Sequence, residues 1–64
     1  MIDLKALIIL MTLKDYQELS LYELSVKVGL SIKEVKEALD YLVSYLEKKN
    51  ISLKCAKGKY FLED

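Results

Sequence analysis

The sequence predicts a mostly α-helical domain over residues 1–64 that closes on a small two-stranded β-hairpin. Ser20 and Ser31 each stand three residues before a glutamate, Glu23 and Glu34, at the head of an apolar run with helical spacing. In such a Ser-x-x-Glu box the hydroxyl accepts an amide hydrogen of the first turn while the carboxylate accepts the cap residue's own N–H, so each box marks a helix start. Only Gly29 and Leu30 lie between the end of the first such helix and the second box, and residues 51–62 read as two short strands around Lys57-Gly58.

The first helix is expected over residues 2–15, because Leu4, Leu7, Ile8 and Met11 recur on one helical face and no Gly or Pro precedes Gly29. That face is the one expected to pack inward. The second helix begins at Leu21, turns Leu21, Leu24 and Val28 to one side, and stops at Val28, where Gly29 suits a left-handed C-cap. A connection this short makes the second and third helices meet at a steep angle. The third carries Val35, Leu39, Leu42 and Leu46 inward and closes at Lys48-Lys49-Asn50, whose cations complement the negative end of a helix. Ile51, Leu53 and Cys55 then alternate with Ser52, Lys54 and Ala56 before Lys59-Tyr60-Phe61-Leu62 returns as a hairpin. Lys-Gly is a weak tight-turn pair, which favours Gly58 at positive φ with room for a bulge.

Sixty-four residues support one core, and 53% apolar with 31% charged residues suits a folded chain better than a disordered one. The apolar run from Ala6 to Met11 falls far short of the roughly 18 residues that a membrane span needs, so no membrane partner is expected. Met-Ile-Asp-Leu-Lys has neither a basic start nor a cleavage site, which predicts a cytoplasmic location. Cys55 is the single cysteine and histidine is absent, so neither an internal disulfide nor a metal site is expected, and Cys55 reads as a small apolar strand residue. Without a glycine-rich phosphate loop or a paired-carboxylate pocket, the chain is expected to be no enzyme and to use no cofactor or small-molecule ligand.

Ten lysines balance ten acids and arginine is absent, but the charges are not evenly spread. Residues 48–59 hold Lys48, Lys49, Lys54, Lys57 and Lys59 with no acid, whereas residues 15–47 hold seven acids against Lys27, Lys33 and Lys36. Helix, short capped helix, tight turn, longer helix and hairpin is the order of a winged helix-turn-helix, whose third helix can enter a major groove. Leu4-Lys5-Ala6-Leu7-Ile8, Ser20-x-x-Glu23-Leu24, Gly29-Leu30-Ser31, Val35, Leu39-x-x-Leu42 and Gly58-Lys59-Tyr60-x-Leu62 together resemble the amino-terminal DNA-binding domain of biotin operon repressors over almost the whole chain. This resemblance implies a transcriptional regulator that binds double-stranded DNA through the third helix, with Ser31 at its cap and Ile32, Lys33, Lys36, Glu37 and Asp40 outward.

The residues themselves leave two readings open. The third helix has no arginine for a bidentate guanine contact, and Glu34, Glu37 and Asp40 repel phosphate, so Lys54, Lys57 and Lys59 of the wing are the better phosphate grip. The alternative for the five lysines of residues 48–59 is a solvated C-terminal turn and the guarding of an exposed strand edge, and a winged-helix module that binds protein and leaves DNA alone is the competing function.

A second apolar stripe, Ile2, Ala6, Ile9, Leu13 and Tyr16, runs along the first helix. One small domain does not readily bury both stripes, so this second one is expected to stay exposed and form a homodimer interface. The alternative folds Leu13 and Tyr16 back under the hairpin or the second helix. Tyr41 and Tyr45, one turn apart on the third helix, either extend that interface or shield the junction with the hairpin.

Overall fold

The computed structural model describes residues 2–64. Its elements are α1 (Leu4–Tyr16), β1 (Glu18–Ser20), α2 (Leu21–Val28), α3 (Ile32–Glu47), β2 (Ser52–Ala56) and β3 (Lys59–Glu63). Both capping boxes form. Ser20 Oγ accepts the Glu23 amide at 3.1 Å while Glu23 Oε1 accepts the Ser20 amide at 2.8 Å; Ser31 and Glu34 exchange the same pair at 3.1 and 3.0 Å. Each cap stabilises its helix by about 1 kcal/mol. Between the helices, Gly29 takes a left-handed φ of 71°, and the amides of Gly29 and Leu30 both donate to the Ser25 carbonyl, at 3.0 and 3.2 Å. Ser25 Oγ in turn donates to the Leu30 carbonyl at 2.6 Å, closing the turn from its other side.

The sheet corrects the expectation of two strands. It has three, antiparallel, in the order β1-β3-β2. Glu18, Leu19 and Ser20 pair with Phe61, Tyr60 and Lys59, a strand too short to show alternation, with Leu19 its single buried side chain. It forms because the second strand of the hairpin offers a free edge. On the other side β2 pairs from Ser52↔Glu63 to Ala56↔Lys59, leaving Lys57-Gly58 as a two-residue loop. Both loop residues have positive φ, 53° and 76°, as a type I′ turn requires, so the hairpin closes without a bulge.

One cluster joins the elements: Ala6, Ile9, Leu10 and Leu13 of α1, Leu19, Leu24 of α2, and Val35, Ala38, Leu39, Leu42 and Leu46 of α3. The inward faces expected for α2 and α3 are found there or packed against it. For α1 the expectation is inverted. Leu4, Ile8 and Met11, expected inside, are 69%, 40% and 56% exposed, whereas Ala6, Ile9 and Leu13, expected at a dimer interface, are 0%, 0% and 1% exposed. Ile2 packs against the core, and Tyr16 alone of that stripe stays open, with the Lys27 ammonium 4.2 Å from its ring centre. Periodicity could not choose between the stripes because α1 is apolar on both sides. The partner decides: α1 packs on α3, and the small buried residues Ala6 and Ala38 suit a close crossing that the bulkier Leu4 stripe would hold apart. Among the described residues, no helix is long and apolar enough to cross a membrane.

Candidate nucleic-acid interface

The α3 helix presents Ile32, Lys33, Lys36, Glu37 and Asp40 to solvent, because Val35, Ala38, Leu39 and Leu42 fix its opposite face in the core. Ser31 is exposed as well, but its hydroxyl oxygen is occupied by the Glu34 amide and its local role is to start the helix. The five outward residues divide between two flanks. Lys36 and Asp40 line a groove between α3 and β2, together with Val43, Leu53, Lys54 and Tyr60. Glu37 lies on the side toward α1, in a recess with Asp3, Lys5, Glu34 and Tyr41. Folding thus sets one helix lysine, Lys36, and one hairpin lysine, Lys54, on the walls of the same groove. Burial, reinforced by Cys55 and Asp40, raises the phenol of Tyr60, which lines the groove, above its ordinary value.

The three hairpin lysines expected to grip phosphate are not equivalent. Lys59 Nζ lies 2.9 Å from Glu23 Oε1, the oxygen that also accepts the Ser20 amide. The Ser20 amide and the Lys59 ammonium together hold the Glu23 carboxyl at about 2. Lys59 is therefore engaged by the fold. Lys54 Nζ meets Glu63 Oε1 at 2.6 Å, with both side chains about half exposed; such a pair contributes well under about 1 kcal/mol, so it yields to a phosphate at little cost. Lys57 sits at the hairpin tip, exposed.

A parallel arrangement changes the charge at the start of α3. Lys5 Nζ lies 2.8 Å from Glu34 Oε2, and with the Ser31 amide it holds the Glu34 carboxyl at about 2. The acid expected to repel phosphate at the head of the helix thus has its charge offset by a cation from α1. Neither lysine partner was legible in the sequence: the capping glutamates show as a three-residue spacing, whereas Lys59 and Lys5 reach them from 36 and 29 residues away. Lys33, Lys36, Lys54 and Lys57 remain for a polyanion, opposed by Glu37 and Asp40. The Tyr41 and Tyr45 rings stack with centroids 6.0 Å apart, and Lys49 lies 5.2 Å from the Tyr45 ring centre.

Among the described residues, no group of His, Cys, Asp and Glu is placed to hold a metal ion. Compared with protein-family models, with curated proteins and with solved structures, the chain matches none of them.

Proposed function

We propose that this chain is a DNA-binding module of the winged helix-turn-helix type, a transcriptional regulator that meets double-stranded DNA with the first turns of α3 and with the β2–β3 hairpin as its wing. The observation that carries the reading is the pairing of β1 with β3. A recognition helix and a wing can touch one duplex only if their relative position is fixed, and β1 ties the hairpin to the residue that caps α2. The groove shared by Lys36 and Lys54 and the offset charge of Glu34 favour the same surface, as does the resemblance to the amino-terminal domain of biotin operon repressors.

Lys33, Lys36, Lys54 and Lys57 act on phosphates, and their contribution comes from released counterions. With no arginine on α3, base reading is weak and most of the affinity is independent of sequence. Four such contacts give a slope of log affinity against log salt of about −3 to −4. Fluorescence anisotropy with a random duplex, across roughly 50 to 200 mM salt, tests this. Absent binding, or binding that does not weaken with salt, would favour the second reading, a protein-binding winged helix. That reading draws on the zero net charge and on Glu37, Asp40 and Glu47 along the exposed side of α3.

A further inference from the structure

The outward face of α1 is an apolar surface that the DNA reading leaves unused. Leu4 is 69% exposed, Ile8 40% and Met11 56%, with Leu7 half-buried beside them. We propose that two copies of the chain pair antiparallel through this face, with Leu4 of each copy against Met11 of the other and Leu7 and Ile8 at the two-fold axis. The inference rests on α1 alone and stands whether or not the chain binds DNA.

The pattern is symmetric about its own centre. Leu4, Leu7, Ile8 and Met11 follow one another at steps of three, one and three, so reversing the helix superimposes the stripe on itself. The flanking charges are opposite in sign and centred within one residue of the same point. Asp3 and Lys14 are eleven residues apart, just over three helical turns, and so lie on the same flank of the stripe about 16 Å from one another. Within one helix they cannot meet. A two-fold axis perpendicular to both helices brings like flanks together, which places Asp3 of one copy beside Lys14 of the other, twice. A parallel pair, whose axis runs along the helices, would instead carry like flanks to opposite sides of the seam and leave Asp3 and Lys14 without each other.

Neither side chain is held in a close ion pair among the described residues, although the Asp3 charge adds to the raising of Lys5. Asp3 occupies the N-cap of α1, yet its carboxylate makes no capping hydrogen bond. Lys14 takes part in none of the ion pairs among the described residues, which join Lys5 to Glu34, Lys54 to Glu63 and Lys59 to Glu23. Antiparallel pairing also opposes the two helix dipoles. Charge complementarity of this kind, built from one helix and its own reverse, selects a second copy over a different protein. Four apolar side chains cover less than the roughly 800 Å² per partner of a standard interface, so the dimer is weak and forms with rising concentration.

Sedimentation equilibrium on the full chain, from about 5 to 500 µM, is expected to show a monomer–dimer equilibrium with a dissociation constant on the order of tens of micromolar. Ile8→Glu is expected to weaken dimerisation at least about 30-fold, with an unchanged far-ultraviolet circular dichroism spectrum, since Ile8 is outside the core. Asp3→Lys and Lys14→Asp are each expected to weaken it about 3- to 10-fold, and the double variant to return within about 3-fold of the parent. The double variant reverses the charge at both ends of α1, so its rescue cannot come from helix-end effects inside one copy. A chain that stays monomeric throughout would overturn the proposal and give this face to a different protein. A dimer that survives Ile8→Glu would place the contact elsewhere, and a double variant as weak as the singles would exclude the antiparallel register.

Discussion

Glu23 and Lys59, 36 residues apart, meet at 2.9 Å through a carboxylate oxygen that already accepts the Ser20 amide. One glutamate therefore caps α2 and holds the first residue of β3. Glu34 does the same between α3 and α1, accepting the Ser31 amide on Oε1 and the Lys5 ammonium on Oε2. Each helix start is thereby joined to a distant part of the chain at the point where its backbone N–H groups need partners.

These bonds make stability depend on pH at both ends of the scale. Glu23 and Glu34 titrate at about 2 in the folded chain, below the ordinary 4.5. Their contribution is therefore full above about pH 4.5 and is lost as pH falls toward 2. Lys5 and Lys59 are raised above 10.5 by the same glutamates, so their contribution is full below pH 10.5 and is lost as pH rises through the raised values. Urea midpoints measured from pH 7 down to pH 2.5 should fall, and the double variant Glu23→Gln, Glu34→Gln should flatten that limb. An acid limb unchanged by both substitutions would refute this account.

Lys57 holds a left-handed φ of 53° without being Gly or Asn. Lys57→Asn should raise stability by about 0.5–1 kcal/mol, because Asn accepts the first position of a type I′ turn more readily. On the DNA reading the same change should reduce the salt slope by about 1. Thermal melting and anisotropy on one sample would show stability and affinity moving in opposite directions.

Two further backbone positions should respond with opposite signs. Gly29 has φ 71° and nothing within 4 Å of where a Cβ would sit, so Gly29→Ala should cost about 1 kcal/mol through the backbone alone. Gln17, at φ 67° and ψ −56°, lies in the strained region of a γ-turn, and Gln17→Gly should stabilise by up to about 1 kcal/mol. Denaturant unfolding of the two variants distinguishes these outcomes.

The inverted packing of α1 has a direct test. Ile9→Ala should cost about 2–4 kcal/mol by opening a cavity among buried side chains, and Leu4→Ala less than about 0.5 kcal/mol in the monomer. The reverse order in denaturant unfolding would mean that the Leu4 stripe is the buried one.

On the DNA reading, the pair Lys36→Ala, Lys54→Ala should lower affinity for every sequence and reduce the salt slope by about 2. Lys59→Ala should leave that slope nearly unchanged while lowering the melting midpoint, because Lys59 is bound to Glu23. A large slope change in the Lys59 variant alone would return it to the interface.

The sequence by itself determined whatever is decided within a turn or two of chain. Ser20 with Glu23 and Ser31 with Glu34 place two helix starts through hydrogen bonds spanning three residues, Gly29 ends α2, and the Val35, Leu39, Leu42 and Leu46 stripe has no apolar rival on α3. The outward residues of α3, which make up half of the candidate site, follow from that stripe. Only the tertiary structure decided the rest. On α1 two apolar stripes compete, and contact with α3 selects the one containing Ala6. Three residues of β1 become a strand only against β3, and Lys5 and Lys59 find glutamates about half the chain away. In each case the deciding energy is a contact between residues remote in sequence, which no local pattern records.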